Sequence, residues 1–151
     1  MATYLLVHGA WHGGWCWTRV SRILRDAGHT VFTPTLTGLG ERAHLAGPEI
    51  DLDCHIADVL GVIDAEELTD IILCGHSYGG QVITPVLDQR IERFRAAVWL
   101  DAFVPTEGRS LMDGWPPERA QHIREQIATT GDGWKVDPMP PEYFGVMRDE
   151  D

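Results

Sequence analysis

The most constraining feature of the sequence is a serine between two glycines, at the point where a predicted strand meets a predicted helix. Residues 75–79 read Gly-His-Ser-Tyr-Gly, and the central serine is Ser77. An apolar run at residues 70–74 precedes them, and a helical pattern from about 78 to 90 follows. A Gly-x-Ser-x-Gly turn in this setting projects the serine hydroxyl above the carboxyl end of a sheet. Its glycines permit the close backbone approach that so sharp a turn needs. The pattern favours a nucleophilic Ser77 over a chance serine in a glycine-rich turn.

Strand-like and helical segments alternate along the first hundred residues. Continuous apolar strands separated by helices are typical of a parallel sheet with helices on both faces, so we predict an α/β fold. The predicted strands are residues 3–8, 30–36, 70–74 and 96–100. Helices are predicted for residues 17–27 and 78–90. A further helix, capped by Asp51 or Asp53, is predicted to run to about residue 65.

The pattern changes after Pro105, where Trp115-Pro116-Pro117 and Pro138-Met139-Pro140-Pro141 flank a predicted helix from about residue 117 to 129. We therefore expect residues 1–105 to form a core and residues 106–151 to begin a cap over it.

A second glycine-rich segment, His8-Gly9-Ala10-Trp11, directly follows the first predicted strand. When a nucleophilic serine stands on a strand-to-helix turn, the oxyanion is held by the N–H of the next residue and by an N–H from such a loop. We therefore assign these two donors to Tyr78 and Ala10. The alternative is a loop whose glycines only turn the chain.

Charge and composition exclude several classes of partner. The formal net charge is −11 with Lys135 as the single lysine, so no basic patch is expected to bind nucleic acid or an anionic membrane surface. No apolar run reaches the roughly 18 residues of a membrane helix. Residues 1–8 lack the basic segment of a signal peptide, and we expect a cytoplasmic location. The three cysteines fit neither a disulfide framework nor a zinc site, and neither a metal nor an organic cofactor is expected.

The two glycine-rich segments together resemble the α/β-hydrolase superfamily. The loop at residues 8–17 and the turn at residues 75–80 are similar to those of the group that contains plant methyl-ester esterases and hydroxynitrile lyases. The resemblance covers about residues 3–105. It implies the α/β-hydrolase fold and a serine carboxylesterase in which Ser77 attacks small esters with an apolar or aromatic part.

Two other functions stay open within this resemblance. Hydroxynitrile lyases carry a threonine where this sequence has Gly9, which favours the esterase. The alternative from another class of protein is a receptor that keeps the turn at Ser77 and binds a ligand, but turns it over slowly or not at all. Three aromatic residues are candidates for the substrate pocket, although core packing would also explain each of them: Trp11, Phe103 and Trp115.

The remaining catalytic groups are only partly visible. Asp101 directly follows the strand at 96–100 and is a candidate for the triad acid. The alternatives are that the triad acid lies one strand later, or that Asp101 only caps the next turn. None of the seven histidines fits the family position after the last strand. We therefore expect polypeptide beyond Asp151 to supply that histidine and a strand beside residues 96–100. The oligomeric state stays open between a monomer and a homodimer.

Overall fold

The computed structural model describes residues 1–146, in which strands and helices alternate as far as residue 100. The strands are β1 (Thr3–Val7), β2 (Thr30–Phe32), β3 (Ile71–His76) and β4 (Phe94–Leu100). The α-helices are α1 (Thr18–Asp26), α2 (Leu52–Ala65), α3 (Gly79–Gln89) and α4 (Pro117–Thr129). Short 3₁₀ helices lie at Gly14–Trp17, Gly40–Leu45, Ile91–Arg93, Leu111–Gly114 and Pro141–Phe144.

Most element boundaries differ from the prediction by one or two residues, and β2 differs by more. The strand predicted for residues 30–36 ends at Phe32, shortly before Pro34, which has no N–H to donate to a strand ladder. Trp17 belongs to a 3₁₀ turn, and α1 begins at Thr18. Asp51 rather than Asp53 caps α2, because its side chain accepts a hydrogen bond of 3.0 Å from the N–H of Cys54.

The four strands form one parallel sheet in the order β2-β1-β3-β4. Alternate side chains of β1 point to opposite faces, as the two-residue period of a strand requires. Leu5 and Val7 join the main core with residues of α2 and α3. Leu6 joins a smaller cluster that contains Leu24 of α1. The predicted fold class, a parallel sheet with helices on both faces, is confirmed.

β4 lies at one edge of this sheet. Its apolar side chains Val98, Trp99 and Leu100 are exposed. An additional strand on this edge, expected from the sequence, stays a prediction.

The chain divides into two compact units, Met1–Leu111 and Met112–Asp151. In the described part of the second unit, α4 buries Ala120 and Ile123. Its assignment to a cap, and the expected boundary at residue 105, remain predictions. Within residues 1–146, no helix is long and apolar enough to span a membrane.

Candidate active site

Ser77 forms the turn that joins β3 to α3. Its φ is +52°, a left-handed backbone conformation that residues other than glycine, asparagine and aspartate seldom adopt. Such a conformation costs energy and persists only where the surrounding structure enforces it, which is common at functional sites. The sharp strand-to-helix turn expected around Ser77 is therefore present.

The glycines around Ser77 allow three backbone segments to meet. A Cβ at Gly75 would lie 2.7 Å from the carbonyl oxygen of Gly79, and one at Gly79 would lie 2.8 Å from the carbonyl oxygen of Val7. A Cβ at Gly80 would lie 2.3 Å from the carbonyl oxygen of Phe103. These contacts are too short for any side chain, so the sequence Gly-x-Ser-x-Gly-Gly is required by packing at this turn.

Backbone hydrogen bonds attach the Ser77 turn to the segment that follows β4. The N–H of Ser77 donates to the carbonyl oxygen of Leu100 at 3.3 Å, and the N–H of Phe103 donates to the carbonyl oxygen of Ser77 at 3.0 Å. Asp101 lies between these two contacts and also has a positive φ, +43°. The structure therefore brings the backbone of Asp101 and Phe103 next to Ser77. Phe103 is 39% exposed.

The loop after β1 contacts the same turn. A Cβ at Gly9 would lie 3.0 Å from the Cβ of Ser77 and 3.1 Å from Nδ1 of His76. The carbonyl oxygen of Ala10 is hydrogen-bonded to Nδ1 of His12 at 2.6 Å. Among the hydrogen bonds within residues 1–146, none has the N–H of Ala10 or of Tyr78 as its donor. The assignment of these two groups to the oxyanion remains a prediction.

Two of the histidines in this unit use both ring nitrogens within the protein. Nδ1 of His8 is hydrogen-bonded to the carbonyl oxygen of Gly9 at 2.8 Å, and Nε2 accepts from the N–H of Leu36 at 3.1 Å. His8 is thus neutral with its proton on Nδ1, and burial lowers its pKa. His55 has an equivalent pair of partners, Thr37 and Tyr78.

His76 belongs to a group of rings beside the Ser77 turn. It meets the rings of His12 and Trp17 edge to face, with centroids 6.4 Å and 6.3 Å apart. Burial lowers the pKa of His76, and nearby His12 lowers it further, whereas the carboxylate of Asp101 acts in the opposite direction.

The three candidate pocket residues lie in different parts of the chain. Trp11 is half-buried in the loop after β1 and has a φ of +60°. Phe103 lies next to Ser77 through its backbone. Trp115 belongs to the second unit, where the guanidinium of Arg119 lies 4.7 Å from the centroid of its ring. Their roles in substrate binding remain predictions.

One side-chain group in this region was missed by the sequence analysis. His55 and Asp58 on α2 both bind Thr37 in the loop after β2, and His55 also binds the hydroxyl of Tyr78. The spacing of three between His55 and Asp58 places them on one face of a helix. Nothing in the sequence indicates which distant residues that face contacts. Within residues 1–146, no group of three or more histidine, cysteine or acidic side chains is arranged to hold a metal ion.

A strained serine between a parallel strand and a helix, flanked by a glycine-rich loop, defines the class of α/β hydrolases. The family model described as "Alpha/beta hydrolase family" matches residues 4–151. The chain therefore belongs to the alpha/beta hydrolase family, and the resemblance inferred from the sequence is confirmed.

Relatives with known names include esterases. The carbendazim hydrolyzing esterase of Nocardioides sp. (strain SG-4G) is 52% identical over 157 aligned residues, which cover 99% of this chain and 65% of that protein. Salicylic acid-binding protein 2 of Nicotiana tabacum is 32% identical over 105 residues, which cover 68% of this chain and 40% of the relative.

The fold is also similar to that of a solved structure, an extracellular alpha/beta-hydrolase from a Paenibacillus species. The TM-score is 0.84 at 31% sequence identity, with 95% of this chain and 57% of that chain covered. The chain thus spans about two fifths to two thirds of the length of these similar proteins.

Proposed function

We propose that this protein is a serine carboxylesterase that cleaves small esters with an apolar or aromatic part. The observation that carries the proposal is the left-handed turn at Ser77, packed directly against Gly9 of the loop after β1. The proposal takes Ser77 as the nucleophile and, as oxyanion donors, the N–H groups of Ala10 and Tyr78, for which no acceptor is seen within residues 1–146. The names of similar proteins from Nocardioides and from plants support an esterase.

The proposed reaction is acyl transfer. Oγ of Ser77 attacks the ester carbonyl carbon, and a histidine accepts the hydroxyl proton. The N–H groups of Ala10 and Tyr78 stabilise the tetrahedral oxyanion. The alcohol leaves with a proton from that histidine, and water then attacks the acyl-enzyme and releases the carboxylic acid. His8 and His55 use both ring nitrogens for other contacts, so neither is assigned as this base.

Asp101 is our candidate for the acid of the catalytic triad among residues 1–146. It follows β4 directly, and its backbone lies between the two hydrogen bonds that attach this segment to Ser77. A carboxylate there would orient the histidine and stabilise its charged form. The alternatives remain an acid one strand later and a purely structural Asp101, since aspartate tolerates a positive φ better than most residues.

Labelling with a fluorophosphonate tests the proposal on the full polypeptide. The probe should modify Ser77, p-nitrophenyl acetate should be turned over, and Ser77→Ala should lose both properties. Carbendazim and methyl esters of aromatic acids form a suitable panel of further substrates. Labelling that survives Ser77→Ala would refute the proposed nucleophile.

The same assays separate the two alternative functions. Ligand binding without ester turnover would indicate a receptor, and cyanide release from mandelonitrile would indicate a hydroxynitrile lyase. Gly9 stands where hydroxynitrile lyases carry a threonine, which favours the esterase. The cytoplasmic location, the absence of nucleic-acid and membrane partners, and the choice between monomer and homodimer remain predictions.

A further inference from the structure

His55 is a buried histidine that the proposed reaction does not use. It lies on α2 and is 8% exposed. Its Nε2 is 2.9 Å from the carbonyl oxygen of Thr37, and its Nδ1 is 2.8 Å from the hydroxyl of Tyr78. A carbonyl oxygen can only accept, so Nε2 carries a proton, and in the neutral ring Nδ1 accepts from the Tyr78 hydroxyl. The two contacts fix both the tautomer and the orientation of the ring.

The Thr37 end of this chain of hydrogen bonds is firmly held. Asp58, one turn further along α2, accepts from the N–H of Thr37 at 2.6 Å and from its hydroxyl at 2.8 Å. Arg42 in turn pairs with Asp58 at 3.3 Å. All three polar groups of Thr37 are therefore bound by side chains of α2, which makes Thr37 a fixed anchor for His55.

The other end is the residue that follows the nucleophile. The Tyr78 ring packs against the main core and meets the His55 ring edge to face, with centroids 5.7 Å apart. Burial raises the pKa of Tyr78 to about 12, so its hydroxyl stays protonated and able to donate. A side chain fixed at both its ring and its hydroxyl restricts the position of its own backbone.

The loop after β2 also holds the second half of the site. The N–H of Leu36, the residue before Thr37, donates to Nε2 of His8 at 3.1 Å. His8 immediately precedes Gly9 and Ala10. Two neighbouring residues of one loop thus attach to the two segments that carry the N–H groups of Ala10 and Tyr78.

We propose that His55 is a positioning residue, which fixes the Tyr78 N–H for the oxyanion by joining the Tyr78 hydroxyl to Thr37. The inference rests on the proposed function, because it assigns a role to His55 in that reaction. The oxyanion forms only during the reaction, so loss of this positioning lowers kcat more than it raises KM.

A double-mutant cycle on the full polypeptide tests the inference. His55→Gln retains a group that can reach Thr37 but removes the acceptor for Tyr78, and Tyr78→Phe removes only the hydroxyl. We expect each variant to lower kcat by about 10-fold, less than the roughly 10²–10³-fold loss of a whole oxyanion donor. KM should change less than kcat, and the double variant should be no slower than the slower single variant.

Two conservative variants serve as controls. His55→Asn places an amide oxygen near the position of Nδ1, where it can accept from Tyr78, and should lose less kcat than His55→Gln although its contact with Thr37 is lost. His29→Gln alters a histidine that accepts from the N–H of Ala2 at the opposite end of the sheet, and should leave kcat unchanged. A purely structural role for His55 would give equal losses in the Gln and Asn variants.

A measurement on the wild-type protein does not depend on activity or on the folding of variants. Long-range ¹H–¹⁵N spectra should show the proton of the neutral His55 ring on Nε2, and the opposite tautomer would overturn the inference. Normal kcat in both single variants, or additive losses in the double variant, would overturn it as well. A wild-type protein that is neither labelled at Ser77 nor active on esters would instead refute the proposed function, and this inference with it.

Discussion

Replacing Gly9 with alanine should push the loop after β1 away from Ser77. The new Cβ would lie 3.0 Å from the Cβ of Ser77, whereas non-bonded carbon atoms prefer separations of about 3.5–4.0 Å, so the two segments must move apart by roughly 0.5 Å. The Ser77 turn cannot yield easily, because hydrogen bonds to Leu100 and Phe103 hold it. We expect a loss of about 1–3 kcal/mol in the free energy of unfolding. Because misplacement by ~1 Å can cost ~10²-fold in rate, kcat should fall by about 10- to 100-fold.

Gly61 supplies the matched control for this substitution. It lies within α2, and a Cβ there would meet nothing within 4 Å. Gly61→Ala should therefore raise the free energy of unfolding by up to about 1 kcal/mol through helix propensity and leave kcat unchanged. Urea unfolding and turnover of p-nitrophenyl acetate measure both quantities. If Gly9→Ala were as stable and as active as wild type, the tight contact between the loop and Ser77 would be refuted.

Three other predictions concern the same unit. Asp101→Asn should lower kcat by orders of magnitude with the fold intact if Asp101 is the triad acid, and a loss below roughly tenfold would assign it a structural role. Ser77→Gly should be more stable to urea than Ser77→Ala by about 1 kcal/mol, because only glycine adopts the +52° φ without strain; equal stabilities would argue against strain. Burial lowers the pKa of His8 from 6.5, so the unfolded state binds the extra proton. The free energy of unfolding should then be level above about pH 6.5 and fall as the pH drops below it, a fall that His8→Gln should reduce and that a flat profile would contradict.

Features set by neighbouring residues were predictable from the sequence. The alternation of apolar runs and helical patterns gave the sheet and its helices, and the glycines at 75 and 79 gave the turn at Ser77. β2 was predicted too long, since residues up to 36 have strand-like composition and Pro34 was accepted near the strand's end. Composition alone does not show how much of an edge strand pairs with its neighbour.

Features that depend on contacts between distant residues were not predictable. His55 and Tyr78 are 23 positions apart, and a histidine within an amphipathic helix carries no sign of its partner. The role of Thr37 is hidden for the same reason, because its three hydrogen-bonding groups are bound by residues that follow it by 18 and 21 positions. The sequence therefore pointed to Ser77 as the candidate nucleophile, but not to the hydrogen bonds that hold the side chain of the next residue, Tyr78.

The distribution of backbone strain supports a functional interpretation of the carboxyl edge of the sheet. The loops that follow β1, β3 and β4 each contain a residue other than glycine with a positive φ: Trp11, Ser77 and Asp101. Positive φ alone is weak evidence, because Glu67 and Asp70 in the connection between α2 and β3 also have it. Tryptophan and serine tolerate this conformation less well than aspartate, and each such residue costs about 1–3 kcal/mol. Stability alone would favour glycine at these positions, so the presence of other residues at one edge of the sheet is what the proposed function leads us to expect.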